Sequence, residues 1–366
     1  MPGRRDRIAT ARDVTGRVVR RREHGSGMGS GTGRTEASGT VRRRVTPEGV
    51  GVVELDRPGA LNALDLEMVR ALGATLHAWR EDSEVRSVLV RSTSPKAFCA
   101  GGDILAMRAA GMRGDDAAVR AYFGTEYALN AAIAGYPKPY TALVDGYAMG
   151  GGLGISVHGS AMVVTERAVL AMPETAIGFF PDIGASHFLP RLPGAAGWYL
   201  GLAGTRISGP AAVECGLATH YVPAAELPAL EEALAGAGGE PDAVLARYAV
   251  DAPPSELAAH RAVIERCFSA PDLAELRGRL AAERDTGDGA DSVWAGDTLD
   301  VLDRASPMSL EVTFEVLRAG AGASLADCLA RELELSCSTA REPDFHEGVR
   351  AALVDKDRNP VWAARV

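Results

Sequence analysis

The order of apolar and polar positions predicts an α/β arrangement for the first half of the chain's regular part. Alternation over 50–56 predicts a strand, and the turn residues RPGA follow it. Helical spacing of apolar residues over 61–82 predicts a helix, and the apolar run at 85–92 predicts a buried strand. Because this alternation continues to about residue 192, we expect strands and helices packed in layers.

The later segments complete this pattern. We expect a loop at KAFCAGGDI and a helix at DAAVRAYFGTEYALNAAIAGY, which ends at Pro137. PYTALVDG predicts a strand, MGGGLGISVHG is helix-like, and AMVVTE and AVLAMPE predict short strands before the loop TAIGFFPDIG. Beyond Pro193 the segments are rich in Ala, Leu, Glu and Arg, which predicts a helical C-terminal region.

Composition limits the class of protein. Of 366 residues, 46% are hydrophobic, enough to bury a core. No apolar stretch of about 18 residues occurs and no apolar segment follows Met1, which argues against a spanning helix and a secretory signal. No CxxC pair, HExxH motif or Asp/His cluster with metal spacing is present. We therefore expect a cytoplasmic protein with no metal and no membrane partner.

Charge is unevenly distributed along the chain. Residues 1–44 hold 12 Arg and 4 acidic residues, a charge of +8, which leaves −17 for the rest of a chain whose total is −9. This Gly-rich segment is expected to be a flexible extension. Three interpretations compete: a nucleic-acid or membrane-surface arm, a transit peptide, and a solvated extension without function. We favour the last, and the acidic body argues against nucleic acid as a partner.

Two familiar motifs fail on their spacing. The Gly cluster in MGGGLGIS does not fit GxGxxG, and no GKS or GKT completes a P-loop, so a nucleotide cofactor is not expected. GISVHG brings Ser156 near His158, but a nucleophile elbow needs Gly where His158 stands. We predict that Ser156 and His158 are interior residues of a helix.

Two Gly-rich segments and two carboxylates remain as candidate chemistry. AGGD (100–103) and MGGG (149–152) each precede a helical pattern, so their backbone N–H groups can form an oxyanion hole, although a tight turn or close packing is the commoner role. Glu174 and Asp182 flank the apolar residues IGFF, which would raise their proton affinity. On the residues alone, acid/base work and simple capping or turn formation are equally good explanations.

Taken together, these segments resemble a known family. LDRPGALNALD, KAFCAGGDI, KPYTALVDGYAMGGG and MPETAIGFFPDIG, in this order within about residues 46–225, look like the enoyl-CoA hydratase/isomerase (crotonase) superfamily. The resemblance implies an α/β fold, a crotonase-like spiral of β-β-α units that binds acyl-CoA. The expected organisation is then a flexible extension at 1–44, the acyl-CoA-binding core at 45–225 and a helical C-terminal region at 226–366.

The same resemblance implies the site. The thioester carbonyl would be held by the N–H groups of Gly102 and Gly151. Hydratases of this family use two Glu residues around the added water, and this chain has Gly154 at the first position and Glu174 at the second. Because one of the two acid/base groups is missing, ordinary hydration is not expected.

Other motifs point to a branch of the superfamily. SVHG, MPETAIGFFPDIGASHFLPRL, GLATHYV and the ending DFHEGVRAALVDKDRNPVW resemble 3-hydroxyisobutyryl-CoA hydrolases, thioesterases of valine breakdown. That branch implies that Glu174 and Asp182 serve hydrolysis and that Glu126 contacts the substrate. Further substrate contacts are implied for four residues, Ala60 and Leu61 in RPGALN and Asp103 and Ile104 at the end of AGGDI.

Partners and alternatives follow from the same resemblance. Coenzyme A is part of the acyl-CoA substrate, so no separate cofactor is expected. Relatives commonly form trimers or hexamers, which makes a homo-oligomer a further expectation. Gly59 stands where many hydratases have a Lys that helps hold the CoA, and Arg57 and Lys96 are candidate phosphate contacts by position only. The alternatives are an enoyl-CoA hydratase/isomerase acting on short-chain acyl-CoA and a non-catalytic acyl-CoA-binding protein.

Overall fold

The strands form two sheets. A computed structural model describes residues 35–287 and 289–364. In chain order the strands are β1 (Thr35–Ser38), β2 (Val41–Val45), β3 (Val50–Leu55), β4 (Ser87–Ser92), β5 (Ala97–Cys99), β6 (Tyr140–Val144), β7 (Tyr147–Met149), β8 (Ala161–Val164), β9 (Val169–Ala171), β10 (Ile207–Ser208) and β11 (His220–Tyr221). The larger sheet has the order β1-β2-β3-β4-β6-β8-β11, parallel from β3 onward, and the smaller has the order β10-β9-β7-β5.

Helices dominate the second half of the chain. They are α1 (Leu66–Glu81), α2 (Ile104–Met112), α3 (Asp116–Ala134), α4 (Gly151–Gly154), α5 (Ala185–Phe188), α6 (Ala196–Ala203), α7 (Gly209–Glu214), α8 (Leu227–Ala235), α9 (Pro241–Tyr248), α10 (Glu256–Phe268), α11 (Leu273–Arg284), α12 (Gly289–Arg304), α13 (Pro307–Gly320), α14 (Leu325–Thr339) and α15 (Pro343–Val349). A 3-10 turn at Glu174–Ile177 and a π-helical turn at Arg350–Val354 also matter below. The predicted α/β class with a helical C-terminal region is confirmed.

Some local predictions were wrong. KAFCAGGDI is not all loop, because β5 within it pairs in parallel with β7. MGGGLGISVHG is α-helical only over Gly151–Gly154. The predicted helix at 61–82 starts at Leu66, since the Asp65 side chain accepts a hydrogen bond from the N–H of Met68 at 2.9 Å and thereby caps it.

The N-terminal boundary also differs from the expectation. Residues 41–45, most of which were assigned to the flexible extension, form β2 and pair antiparallel with β3. Val41 is buried and Val45 half-buried on the same face of this strand, and the three residues between them are arginines. Residues 1–34 of the predicted extension lie outside the described residues. The division of the body at residue 225 stays a prediction. No helix among the described residues is long and apolar enough to cross a membrane.

The smaller sheet brings the candidate chemistry to one edge. Its strands β5, β7 and β9 run parallel, and their carboxyl ends lead into three motif segments. After β5 comes AGGD, after β7 comes the MGGG turn, and after β9 comes Pro173 with Glu174. Parallel neighbours end at the same side of a sheet, which is where ligands bind in such folds. Segments up to about 75 residues apart in the sequence therefore lie together at one edge of the smaller sheet.

A buried asparagine fixes the loop beside that edge. Asn62 has a positive φ of 57° and is fully buried. Its Nδ2 donates to the Ser92 hydroxyl at 2.7 Å and to the Phe98 carbonyl at 3.0 Å, while its Oδ1 accepts from Arg57 N at 2.7 Å. One side chain thus ties the loop to β4 and β5. In the same loop the Leu61 carbonyl accepts a hydrogen bond from the N–H of Ala100, the first residue of the first Gly-rich segment.

We expect Asn62→Ala to lower the free energy of unfolding by about 3 kcal/mol, because buried groups lose partners and alanine is strained at positive φ. Urea denaturation measures this loss. Asn359→Ala, at an exposed position, is the control and should change stability little. Equal stability of the two variants would contradict this role of Asn62.

Candidate active site

The two Gly-rich segments lie against each other. A Cβ atom on Gly151 would lie 3.3 Å from the backbone N of Gly102, and one on Gly101 would lie 3.9 Å from the N of Gly151. Within residues 35–287 and 289–364, neither N–H of Gly102 and Gly151 has a hydrogen-bond acceptor. Two unpaired donors on adjoining segments are what an oxyanion hole requires, and that role stays a prediction for Gly102 and Gly151.

Glycine is required at these positions because side chains already fill the space. A Cβ on Gly102 would lie 2.5 Å from the Tyr122 hydroxyl, and one on Gly151 would lie 2.5 Å from Oε1 of Glu126. Gly150 has a positive φ of 43°, and its Cβ would lie 2.6 Å from Oε1 of Glu174. Two carboxyl groups are therefore immediate neighbours of the second Gly-rich segment.

A cavity of about 170 Å³ joins these groups. Six of the predicted site residues line it: Gly102, Ile104, Glu126, Gly151, Glu174 and Asp182. The apolar part of its wall comes from Phe123, Ile177, Phe179 and Leu353. The last belongs to the π-helical turn near the C-terminus, so the end of the chain closes one side of the cavity.

Three predicted substrate contacts lie outside this lining. Ala60 ends a 3-10 turn, and Leu61 follows it with a positive φ of 51°. Asp103 accepts a hydrogen bond from the N–H of Ala106 and so caps α2. All three belong to the two loops that border the Gly102 donor, and their contacts with substrate stay predictions.

The two candidate phosphate contacts differ. The Arg57 guanidinium donates to the Ala63 carbonyl at 2.8 Å and lies 3.5 Å from both Asp65 and Asp103. It is therefore engaged within its own loop. Lys96 is exposed and remains the freer of the two.

Burial dominates the electrostatics of the three carboxyl groups. It raises the pKa of Glu126 well above its usual value, and the charge of Asp182 adds to this. Burial likewise raises the pKa of Glu174, with smaller contributions from Asp182 and Glu126. One oxygen on each glutamate, Oε1 of Glu126 and Oε2 of Glu174, is buried without a hydrogen-bond partner. These groups favour the protonated state and become strong bases once ionised.

Asp182 differs because it has a donor. The Tyr127 hydroxyl donates to its Oδ2 at 2.6 Å and lies 2.6 Å from the Ser336 hydroxyl. Burial raises the pKa of Asp182 to about 6, while the Tyr127 hydrogen bond opposes this rise. Asp182 is therefore the carboxyl group of the three that ionises most readily near neutral pH.

Sequence reasoning missed the residues that support Asp182. Tyr127 was not singled out although it follows Glu126 in α3. Glu332 and Ser336 lie on the apolar face of α14, together with Cys328 and Leu329. An acidic residue at helical spacing among buried positions was the available signal, since such a charge needs partners inside the protein.

Ser156 and His158 were predicted to be interior residues of a helix, and this is wrong for the helix, because both lie in the turns that follow α4. The interior position is confirmed for Ser156. Its hydroxyl is fully buried and donates to the carbonyls of Gly152 and Leu153 at 2.9 and 3.1 Å. His158 Nε2 lies 2.7 Å from the Ile183 carbonyl. Both side chains are therefore bonded to backbone carbonyls, and they do not form a nucleophile–base pair with each other.

The enoyl-CoA hydratase/isomerase family model matches residues 50–366. The chain belongs to this family. Among curated relatives, 3-hydroxyisobutyryl-CoA hydrolase, mitochondrial, of Xenopus tropicalis is 43% identical over 85% of this chain and 81% of its own length. The protein of the same name from Gallus gallus is 42% identical over 86% and 82%.

Solved structures of the enoyl-CoA hydratase/isomerase family agree with the fold. A carnitinyl-CoA dehydratase from Mycobacterium thermoresistibile is 38% identical, with a TM-score of 0.82 over 89% of this chain and 92% of that one. The predicted family and crotonase-like fold are confirmed.

The raised pKa of Asp182 predicts that Asp182→Asn changes stability in a pH-dependent way. Wild type loses folding free energy as the pH rises from about 4 to 6, because the buried carboxyl must ionise, whereas the amide stays neutral. We expect the variant to be more stable than wild type by up to about 3 kcal/mol above pH 7, and equal to it near pH 4. Thermal unfolding from pH 4 to 8 measures this. Asp297→Asn, at an exposed site on α12, should give no such trend, and a pH-independent difference for Asp182→Asn would contradict the assignment.

Proposed function

We propose that this protein hydrolyses 3-hydroxyisobutyryl-CoA to 3-hydroxyisobutyrate and CoA. The observation that carries the proposal is the pair of unpaired N–H groups of Gly102 and Gly151 in one cavity with Glu174 and Asp182. Relatives at 42–43% identity bear the name of this hydrolase over most of the chain. A thioester carbonyl placed between the two donors would share the cavity with both carboxyl groups.

The space at position 154 supports hydrolysis over hydration. A Cβ on Gly154 would lie 2.8 Å from Nδ2 of Asn130 and 3.0 Å from Cβ of Ile183. Position 154 is where the family resemblance puts the first hydratase Glu. Because even one added carbon clashes there, this chain has no room for that acid/base group.

In the proposed reaction the two backbone donors stabilise the negative charge that develops on the carbonyl oxygen. Glu174 either removes a proton from a water that attacks the carbonyl carbon, or attacks that carbon itself to form an anhydride that water then cleaves. In both routes the carbon–sulfur bond breaks, CoA leaves as the thiol after taking up a proton, and the added oxygen comes from water. The apolar wall next to Glu174 keeps its carboxylate basic.

Asp182 and Glu126 would handle the acyl group. We propose that Asp182 orients the substrate hydroxyl or shares the proton transfer, since it is the most readily ionised of the three. Glu126 would donate a hydrogen bond to the acyl head, because its raised pKa keeps it protonated. Its unpaired Oε1 lies at the Gly151 segment, where such a bond would satisfy it.

The second candidate is enoyl-CoA hydration or dehydration. The name of the solved relative, a carnitinyl-CoA dehydratase, favours it. The filled position 154 speaks against it, since that reaction would lack its second carboxyl group.

Three further expectations belong to this proposal. The place in valine breakdown and a homo-oligomeric assembly stay predictions. The predicted cytoplasmic location gains no support from the vertebrate relatives, whose names include the word mitochondrial.

We expect CoA release from 3-hydroxyisobutyryl-CoA to exceed that from crotonyl-CoA, and hydration of crotonyl-CoA to be far slower than thioester cleavage. A thiol-reactive dye follows CoA release, and loss of the enoyl absorbance follows hydration. 3-Hydroxypropionyl-CoA, which lacks one methyl group, tests how strictly the acyl group is selected. Hydration as fast as cleavage would favour the second candidate.

Glu174→Gln should lower kcat for thioester cleavage by at least about 100-fold, because it removes the proposed base or nucleophile and keeps the shape. Steady-state CoA release measures the loss. Glu226→Gln, an exposed carboxylate outside the cavity, is the matched control and should leave kcat unchanged. Near-wild-type cleavage by both Glu174→Gln and Asp182→Asn would exclude the proposed mechanism.

A further inference from the structure

Helix α14 places a buried carboxylate behind the cavity. Glu332 is fully buried and does not line the cavity. Its Oε2 accepts a hydrogen bond from Gly184 N at 2.6 Å. Its Oε1 accepts from Ser186 N at 3.0 Å and from the Ser186 hydroxyl at 2.6 Å. Three donors from a segment about 150 residues away thus converge on one side chain.

The segment held in this way is a strained one that begins at Asp182. Ile183 has a positive φ of 57°, a conformation that costs a β-branched residue of the order of 1–3 kcal/mol. His158 binds the Ile183 carbonyl, and Glu332 binds the next N–H. Contacts on both sides therefore keep the chain in a conformation that it would not adopt alone.

A second link runs from the same helix to Asp182. Ser336 lies one helical turn after Glu332, and its hydroxyl is 2.6 Å from the hydroxyl of Tyr127. Tyr127 donates to Oδ2 of Asp182. Helix α14 thus contacts the backbone that follows Asp182 and, through Tyr127, its carboxyl group.

We propose that Glu332 is a positioning residue, which holds the 182–186 segment so that the Asp182 carboxyl group faces the bound acyl group. The inference rests on the proposed function for the chemical role of Asp182. Glu332 itself touches no reacting atom. Helix α14 lies in the C-terminal helical region, so this part of the chain is an integral part of the active site.

The alternative for Glu332 is a purely structural role as a helix cap. Burial raises the pKa of Glu332 to about 8 in spite of its three donors, so ionising this side chain carries a desolvation penalty. Stability alone does not distinguish the two roles, but their effects on catalysis differ.

The test compares Glu332→Gln with Glu334→Gln. The first puts an NH2 group against a backbone N–H of the 182–186 segment and breaks one hydrogen bond. The second removes a charge two positions away on the exposed face of the same helix, where the Glu334 side chain is 67% exposed. We expect Glu332→Gln to lower kcat about 10- to 100-fold with KM changed less than about twofold, and Glu334→Gln to change neither.

A double-mutant cycle separates positioning from a structural defect. If Glu332 acts through Asp182, adding Glu332→Gln to Asp182→Asn should lower kcat less than about twofold further. The same fold-loss of kcat in both backgrounds would overturn the proposal. Hydrogen exchange should show faster exchange at the amides of Gly184 and Ser186 in Glu332→Gln, and unchanged exchange there would also overturn it.

A milder variant keeps the proposal testable if Glu332→Gln fails to fold. Ser186→Ala removes one of the three donors, and we expect a drop in kcat of about two- to fivefold that disappears in the Asp182→Asn background. An equal drop in both backgrounds would contradict the proposal. All ratios are measured on the acyl-CoA that wild type converts fastest, whether by cleavage or hydration. If the hydrolase assignment is wrong, the acyl-CoA that wild type converts fastest will not be 3-hydroxyisobutyryl-CoA. If the Glu332 inference is wrong, the double-mutant cycle will show equal losses of kcat in both backgrounds.

Discussion

Three carboxyl groups share one apolar cavity, and in the described part of the chain no cationic side chain contacts them. Such groups repel one another and lose hydration, so their protons are held more tightly than in water. The protein compensates with a neutral donor, the Tyr127 hydroxyl on Asp182, and the backbone N–H groups of Gly102 and Gly151 nearby do not bond to the carboxyl groups. A cation in their place would neutralise the carboxylates. The neutral solution keeps them basic and leaves the N–H groups free for a substrate oxygen.

That arrangement depends on topology. Three adjacent parallel strands of the smaller sheet end beside the cavity, and each is followed by one part of the site. Helix α3 supplies Glu126 and Tyr127, and Glu332 on α14 accepts a hydrogen bond from the backbone after Asp182. The helical C-terminal region therefore serves as the outer support of the site, and the turn at Arg350–Val354 completes its wall.

Features that are local in sequence were predictable, and features that depend on distant partners were not. Apolar periodicity identified most strands and helices, and the two Gly-rich motifs with Glu174 and Asp182 identified residues that line one cavity. Strand β5 was missed because three residues carry too little alternation to distinguish a strand from a loop. The late start of α1 was missed because Asn62 takes a left-handed conformation that its partners in β4 and β5 impose. Glu332 was missed because its partners lie about 150 residues earlier.

The packing around Gly154 couples this position to the turn that carries Asp182. Ile183 and Asn130 occupy the volume that a longer residue at 154 would need, and Ile183 is also part of the strained turn that presents Asp182. A single substitution at 154 would therefore meet a clash, and relieving it would disturb the turn. The two positions constrain each other, so a longer side chain at 154 would require compensating changes at Asn130 or Ile183.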